Sequence, residues 1–176
     1  MLLQGARQVG KTWLINEFGK REYKNYIYLN FEQTPNLKTL FTNELSPLKI
    51  VENIGLLLGK KINSEDTLIC FDEIQTCPEA LTSLKYFQEH APEFHVIAAG
   101  SLLGVSLGKT SSFPVGKVNF LTLYPLSFAE YLDAIGENLL VEKLAILDTL
   151  PEVLHEKMLG LLKMYFFLGV AFTRFA

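Results

Sequence analysis

The chain has 176 residues, 49% of them hydrophobic and 20% charged, the length and balance of one ordinary globular domain able to bury a core without staples. Sixteen Lys and Arg against 19 Asp and Glu leave a net charge of -3, which supplies no general attraction for nucleic acid and leaves only a local DNA-binding face open. No segment reaches the roughly 20 apolar residues of a membrane span, since Met158 to Phe172 is shorter and carries Lys163; with no export leader evident, the cytoplasm is the expected compartment.

In chain order, the first expected strand is Met1 to Gln4, which at about 13 Å is short for a central strand. It runs into Gly5-Ala6-Arg7-Gln8-Val9-Gly10-Lys11-Thr12, a match to the phosphate-loop pattern G-x-x-x-x-G-K-S/T. Gly5 and Gly10 permit the backbone angles that turn successive N–H groups around a phosphate. Lys11 can then reach the β and γ phosphates, the Thr12 hydroxyl can ligate Mg²⁺, and a helix beginning at Lys11 adds its N-terminal dipole.

The second strand is expected at Tyr26 to Phe31 and contains Asn30, whose amide could hold Glu73 in an inactive rotamer or serve only as a turn residue. Thr34-Pro35, Ser46-Pro47 and Cys77-Pro78 each read as a helix start, because Pro has no N–H to lose and a preceding Ser or Thr oxygen can cap. Lys20-Arg21 with Lys24, and Lys60-Lys61, are small basic clusters that read as solvated helix ends.

The third strand, Thr67 to Phe71, carries Cys70 as a buried residue and ends directly in Asp72 and Glu73. That places two carboxylates at the C-terminal edge of a sheet, where ligands bind in open α/β folds. Asp72 can hold Mg²⁺, and Glu73 can accept a proton from an attacking water. Cys70 and Cys77 have the spacing of neither a redox pair nor a zinc site.

The fourth strand, His95 to Ala99, ends at Gly100-Ser101, where the Ser101 hydroxyl either faces a γ-phosphate and orients the water or marks an ordinary turn. A fifth strand is expected at Val118 to Leu123. Ser127 and Glu130 then have capping-box spacing, so a helix begins near "SFAEYL". Leu154, Met158, Leu161, Leu162 and Tyr165 recur at helical spacing and predict a stripe that packs on the core or on a neighbour. Apolar runs alternating with helical patterns define an α/β fold with a mainly parallel sheet.

"GARQVGKT", "FDEIQTCPEALTSLKYF", "HVIAAGSLLGVSL" and "SFPVGKVNFLTLYPLSFAEYL" closely resemble the prokaryotic AAA-type ATPases whose ATPase domain precedes a C-terminal domain of unknown function. The resemblance covers Met1 to about Tyr165. It implies a three-layer, additional-strand, catalytic-Glu P-loop fold with five strands in the order 5-1-4-3-2. It also implies Walker A at Gly5 to Thr12, Walker B at Asp72-Glu73, sensor 1 at Ser101, ATP as the nucleotide, and an attached domain or protein partner. Lys117 in "PVGKV" falls where related sequences often have Arg, so a charge contact to nucleotide or neighbour is open.

The expected organisation is a P-loop ATPase core over 1–125, a helical extension over 126–168 and an aberrant tail over 169–176. The sequence departs from the family in having four residues ahead of Gly5 and in reading "LGVAFTRFA" where a Gly-Gly-x-Pro turn usually follows; both predict a shortened or frameshifted form. The functional expectation is Mg²⁺-dependent ATP hydrolysis that switches or drives an attached domain or partner. Alternatives are a nucleotide-binding fragment of weak turnover, prone to homo-oligomerise through the apolar face at Met158 to Phe167, and a small-molecule kinase. The kinase reading lacks a basic lid, because Arg occurs only at positions 7, 21 and 174.

Overall fold

In the computed structural model, residues 1–42, 44–101, 116–146 and 149–168 are described. The expected tail over 169–176 lies outside them.

Five strands pair in the order β2-β3-β4-β1-β5, every pair parallel. They are β1 (Leu2–Gln4), β2 (Asn25–Asn30), β3 (Thr67–Asp72), β4 (His95–Gly100) and β5 (Phe120–Thr122). Read from the other edge, this is the order 5-1-4-3-2 that the resemblance implied. The three-residue β1 is central, paired with β4 through Leu2↔Ala98 and with β5 through Leu2↔Phe120. Its brevity is offset by backbone bonds beyond the strand, Ala98 N to Met1 O at 2.9 Å and Leu123 N to Gln4 O at 2.8 Å.

Side-chain alternation divides the core between the two faces of the sheet. Leu2, Ile27, Leu29, Ile69, Phe71 and Ala98 face one layer, made by α2 (Pro47–Leu58), α3 (Pro78–His90) and a 3-10 helix, Pro35–Phe41. Leu3, Leu68, Cys70, Ile97 and Ala99 face the other, where Ile15 of α1 (Lys11–Glu22) packs with Tyr23, Tyr26 and Tyr28. Burial on both faces explains why Leu68 to Phe71 of β3 read as an unbroken apolar run, with all six residues of the strand buried. At the edge, β5 leaves Phe120 and Leu121 44% and 47% exposed, so its apolar run does not mark two covered faces.

The Pro-marked starts at Pro47 and Pro78 open α2 and α3, whereas Pro35 opens a 3-10 helix. None of the three is capped by the preceding side chain, so the preset φ of Pro does the work that a Ser or Thr oxygen was expected to share. Ser127, in contrast, makes the full capping box: its Oγ accepts from Glu130 N while Glu130 Oε2 accepts from Ser127 N.

The chain divides into two compact units, Met1–Leu123 and Tyr124–Ala176. The second contains α4 (Phe128–Ala134), α5 (Asn138–Ala145) and α6 (Glu152–Leu168). Tyr131, Leu132 and Leu140 form its core, against which Met158, Leu161 and Tyr165 of the expected stripe pack; Leu154 is left 38% exposed.

Candidate functional site

Because all five strands are parallel, their C-terminal ends share one edge, and the residues singled out in the sequence collect there. The loop Gly5 to Thr12 leaves β1, Asp72-Glu73 ends β3, and Ser101 follows β4, which lies between them.

The loop is shaped by its glycines in two different ways. Gly10 has φ 88 and ψ 13, the left-handed conformation, directly before α1. Gly5 is required instead by crowding, since a Cβ there would lie 2.2 Å from the Leu123 carbonyl oxygen beyond β5. Gln8 adds a second left-handed turn with φ 65. Ala6, Arg7 and Gln8 are exposed, while Gly5, Val9 and Gly10 are partly covered. Lys11 is buried at the start of α1, and its ammonium donates to Gly5 O at 3.0 Å and Ala6 O at 2.6 Å. Burial pushes its pKa below the ordinary lysine value, while the negative charges of Glu73 and Asp72 pull the other way.

The acidic edge is tied to the loop by one bond, Thr12 Oγ1 donating to Asp72 Oδ2 at 3.0 Å. That same oxygen accepts from Tyr28 OH at 2.5 Å and from Asn30 Nδ2 at 3.4 Å. Burial raises the Tyr28 phenol above its ordinary range, as does its bond to Asp72, so the hydroxyl stays a proton donor. Register explains the convergence: Asn30 pairs with Asp72 and Tyr28 with Cys70, so both β2 side chains reach the end of β3.

Glu73 sits in the left-handed region at φ 52 and ψ 42, unusual for a residue with a long side chain. Its carboxylate Oε2 accepts from Gln75 Nε2. Of the two readings of Asn30, the turn residue is the one its bonds bear out: its oxygen accepts from Glu32 N and Gln33 N at 3.0 and 2.8 Å, while its nitrogen bonds Tyr28 and Asp72. The amide closes a turn and braces the aspartate.

Ser101 is 2% exposed, and its hydroxyl has no hydrogen-bond partner among the described residues. Lys117 pairs with Glu89 of α3 at 3.4 Å. Cys70 is wholly buried with its thiol pushed up to about 12 by that burial, which leaves it a packing residue.

Hydroxyl and carboxylate oxygens meeting beside a buried ammonium and a glycine-shaped loop are a donor set suited to Mg²⁺ and a polyphosphate. The fold and this edge define the class of the P-loop NTPases, in the three-layer α/β form. A protein-family model described as an AAA domain matches residues 1–132, and the chain belongs to that family of AAA-type P-loop ATPase domains. No curated protein matches the sequence.

Among solved structures, Drosophila ORC bound to DNA is similar at 20% identity and a TM-score of 0.52, over 84% of this chain and 43% of that one. The ADP form of Aeropyrum pernix ORC2 aligns over 77% of this chain and 45% of its own, at 17% identity and a TM-score of 0.48. For C. elegans PCH-2 the corresponding figures are 86%, 41%, 15% and 0.47. The chain thus spans less than half the length of each of these proteins, and the likeness to the Drosophila structure is one of fold. No described helix is long and apolar enough to cross a membrane.

Proposed function

We propose that this chain binds ATP with Mg²⁺ and hydrolyses it, so as to switch or drive an attached domain or a protein partner. The observation that carries the reading is the 3.0 Å bond from Thr12 to Asp72. It joins the helix behind the phosphate loop to the end of β3, so the two oxygens assigned to the metal stand together.

In this reading the backbone N–H groups of Gly5 to Thr12 and the Lys11 ammonium hold the β and γ phosphates. Thr12 Oγ1 and an Asp72 carboxylate oxygen hold Mg²⁺. When bound, Mg²⁺ neutralises charge that develops on the phosphate oxygens. Glu73 takes a proton from the attacking water as the new oxygen bond to the γ-phosphorus forms. The bond to the β–γ bridging oxygen breaks, and its electron pair leaves with ADP. Ser101, whose hydroxyl has no partner among the described residues, steadies the water or the γ-phosphate.

The test separates binding from chemistry. Lys11→Ala is expected to weaken the Kd for Mg-ATP by roughly 10-fold to 150-fold, the loss of a charged hydrogen bond, read by titration of a fluorescent ATP analogue. Glu73→Gln is expected to hold that Kd within about twofold while phosphate release falls by about 10² to 10⁴, the usual worth of a general base. Unchanged turnover in Glu73→Gln would remove Glu73 as the base, and unchanged binding in Lys11→Ala would remove the loop as the nucleotide site.

A further inference from the structure

Two buried side-chain polar atoms have no hydrogen-bond partner among the described residues, Gln75 Oε1 and Ser101 Oγ. Buried polar atoms are nearly always paired, so an unpaired one beside a reaction centre points to a group it is built to meet. Both belong to the same edge of the sheet. Ser101 follows β4, and Gln75 lies in the one-turn 3-10 helix, Ile74–Thr76, which follows β3 and contacts β4.

The orientation of the Gln75 amide is set by chemistry. A carboxylate only accepts, so the group turned toward Glu73 Oε2 is Nε2, and Oε1 is left as an acceptor next to the Glu73 carboxylate. The turn that carries the pair is pinned on both sides. Thr76 N and Thr76 Oγ1 both donate to Glu73 O, at 3.0 and 2.9 Å, and Cys77 N donates to Ile74 O at 2.9 Å. Ile74 and Cys77 are wholly buried in the core below. Glu73 and Gln75 are therefore placed by packed neighbours and by backbone bonds at several points.

A water attacking phosphorus has two O–H bonds and two lone pairs. One proton passes to Glu73 and one lone pair forms the bond to phosphorus. The second O–H needs an acceptor, and the second lone pair can take a donor. Resting on the ATPase reading above, we propose that Gln75 is a positioning residue for hydrolysis. Its nitrogen fixes the Glu73 carboxylate, and its carbonyl oxygen accepts the second O–H of the attacking water. Ser101 Oγ supplies the donor for the remaining lone pair. Gln75 takes no proton; the only proton transferred goes to Glu73.

The test variant is Gln75→Met, close in length and volume but without either amide group. Phosphate release is expected to fall by about 10²-fold, the order reached when a reacting group is misplaced by an ångström. The Kd for Mg-ATP, the KM and the thermal midpoint are expected to stay at the wild-type values. Added to Glu73→Gln, the same change should cost less than about threefold, because residues that act as a unit are not additive.

A second readout is independent of turnover. Mg-ADP with aluminium fluoride, which imitates the in-line phosphoryl group and its water, should stabilise the wild type beyond Mg-ADP alone. Gln75→Met should lose that increment and keep the stabilisation by Mg-ADP. Wild-type turnover together with wild-type analogue binding in Gln75→Met would overturn the proposal. So would an equal loss of Mg-ADP binding or of thermal midpoint, which would make Gln75 a structural residue. Failure of the wild type itself to bind Mg-ADP would overturn the ATPase reading and this inference with it, an outcome distinct from failure of the variant alone.

Discussion

On the β1 side of the proposed site, the stretch from Gly5 to Gly10 that leads to the Lys11 and Thr12 side chains is shaped by main-chain geometry. The loop from Gly5 to Gly10 owes its course to a left-handed Gly10, a left-handed Gln8 and the close approach of Gly5 to the Leu123 carbonyl. On the β3 side the groups are side chains: Asp72 Oδ2 gathers Thr12, Tyr28 and Asn30, and the Glu73 carboxylate is met by Gln75. The contrast teaches that the two halves fail differently. A backbone cradle fails when an atom is added, and a side-chain network fails when one is taken away.

Adding a methyl should give the largest effect. In Gly5→Ala the new Cβ would stand 2.2 Å from Leu123 O, so the loop must move away from β5. We expect about 1 to 3 kcal/mol of lost stability, as for overpacking elsewhere, with loss of measurable Mg-ATP binding. Thermal unfolding and nucleotide titration check it, and a variant that bound ATP normally would mean the cradle is not fixed by that contact.

Removing a charge at the other half should act on the metal. Asp72→Asn is expected to raise the Mg²⁺ concentration needed for half-maximal nucleotide affinity by about 10-fold, within the range seen for groups around metal sites. Titrating Mg²⁺ at fixed fluorescent nucleotide reads this directly, and an unmoved midpoint would break the assignment of Asp72.

The smallest effect belongs to the brace. Tyr28→Phe removes the 2.5 Å bond to Asp72 while Thr12 and Asn30 still hold that oxygen. About 1 kcal/mol of stability should be lost, the net worth of one hydrogen bond, and the Mg²⁺ midpoint should shift less than about threefold. A shift as large as that of Asp72→Asn would instead make Tyr28 part of the metal site.

The same contrast explains what could be read before the structure. The loop was legible because its demands are local: glycines at fixed spacing, then Lys11 and Thr12, are needed whatever surrounds them. Asp72 and Glu73 were legible because the four apolar residues Leu68 to Phe71 run straight into them. The brace was not. Tyr28 meets Asp72 only because β2 lies beside β3 in the register Asn30↔Asp72, and a shift of one residue would send Tyr28 to the other face. Asn30 reads at its strand end as a holder of Glu73 or as a turn residue; the turn is what forms, and its nitrogen reaches Asp72, because sequence spacing cannot say which of two adjacent acids a neighbouring strand will meet. Gln75 had a faint signal, a polar residue two positions past an acid in "DEIQ", but its partner depends on the left-handed turn at Glu73.

By itself the sequence determined the strands of an α/β fold, the place of the glycine loop Gly5 to Thr12 after the first strand, and the acids Asp72 and Glu73 at and just past the end of β3. These follow from hydrophobic runs, from glycine and proline geometry, and from chemistry confined to a few consecutive residues. The tertiary structure alone decided how a three-residue β1 is held in the middle of a sheet, which face each helix covers, and which side chains brace Asp72 and Glu73. Those depend on lateral pairing and register, which join residues as distant as Thr12 and Asp72 and leave no periodic mark in the chain.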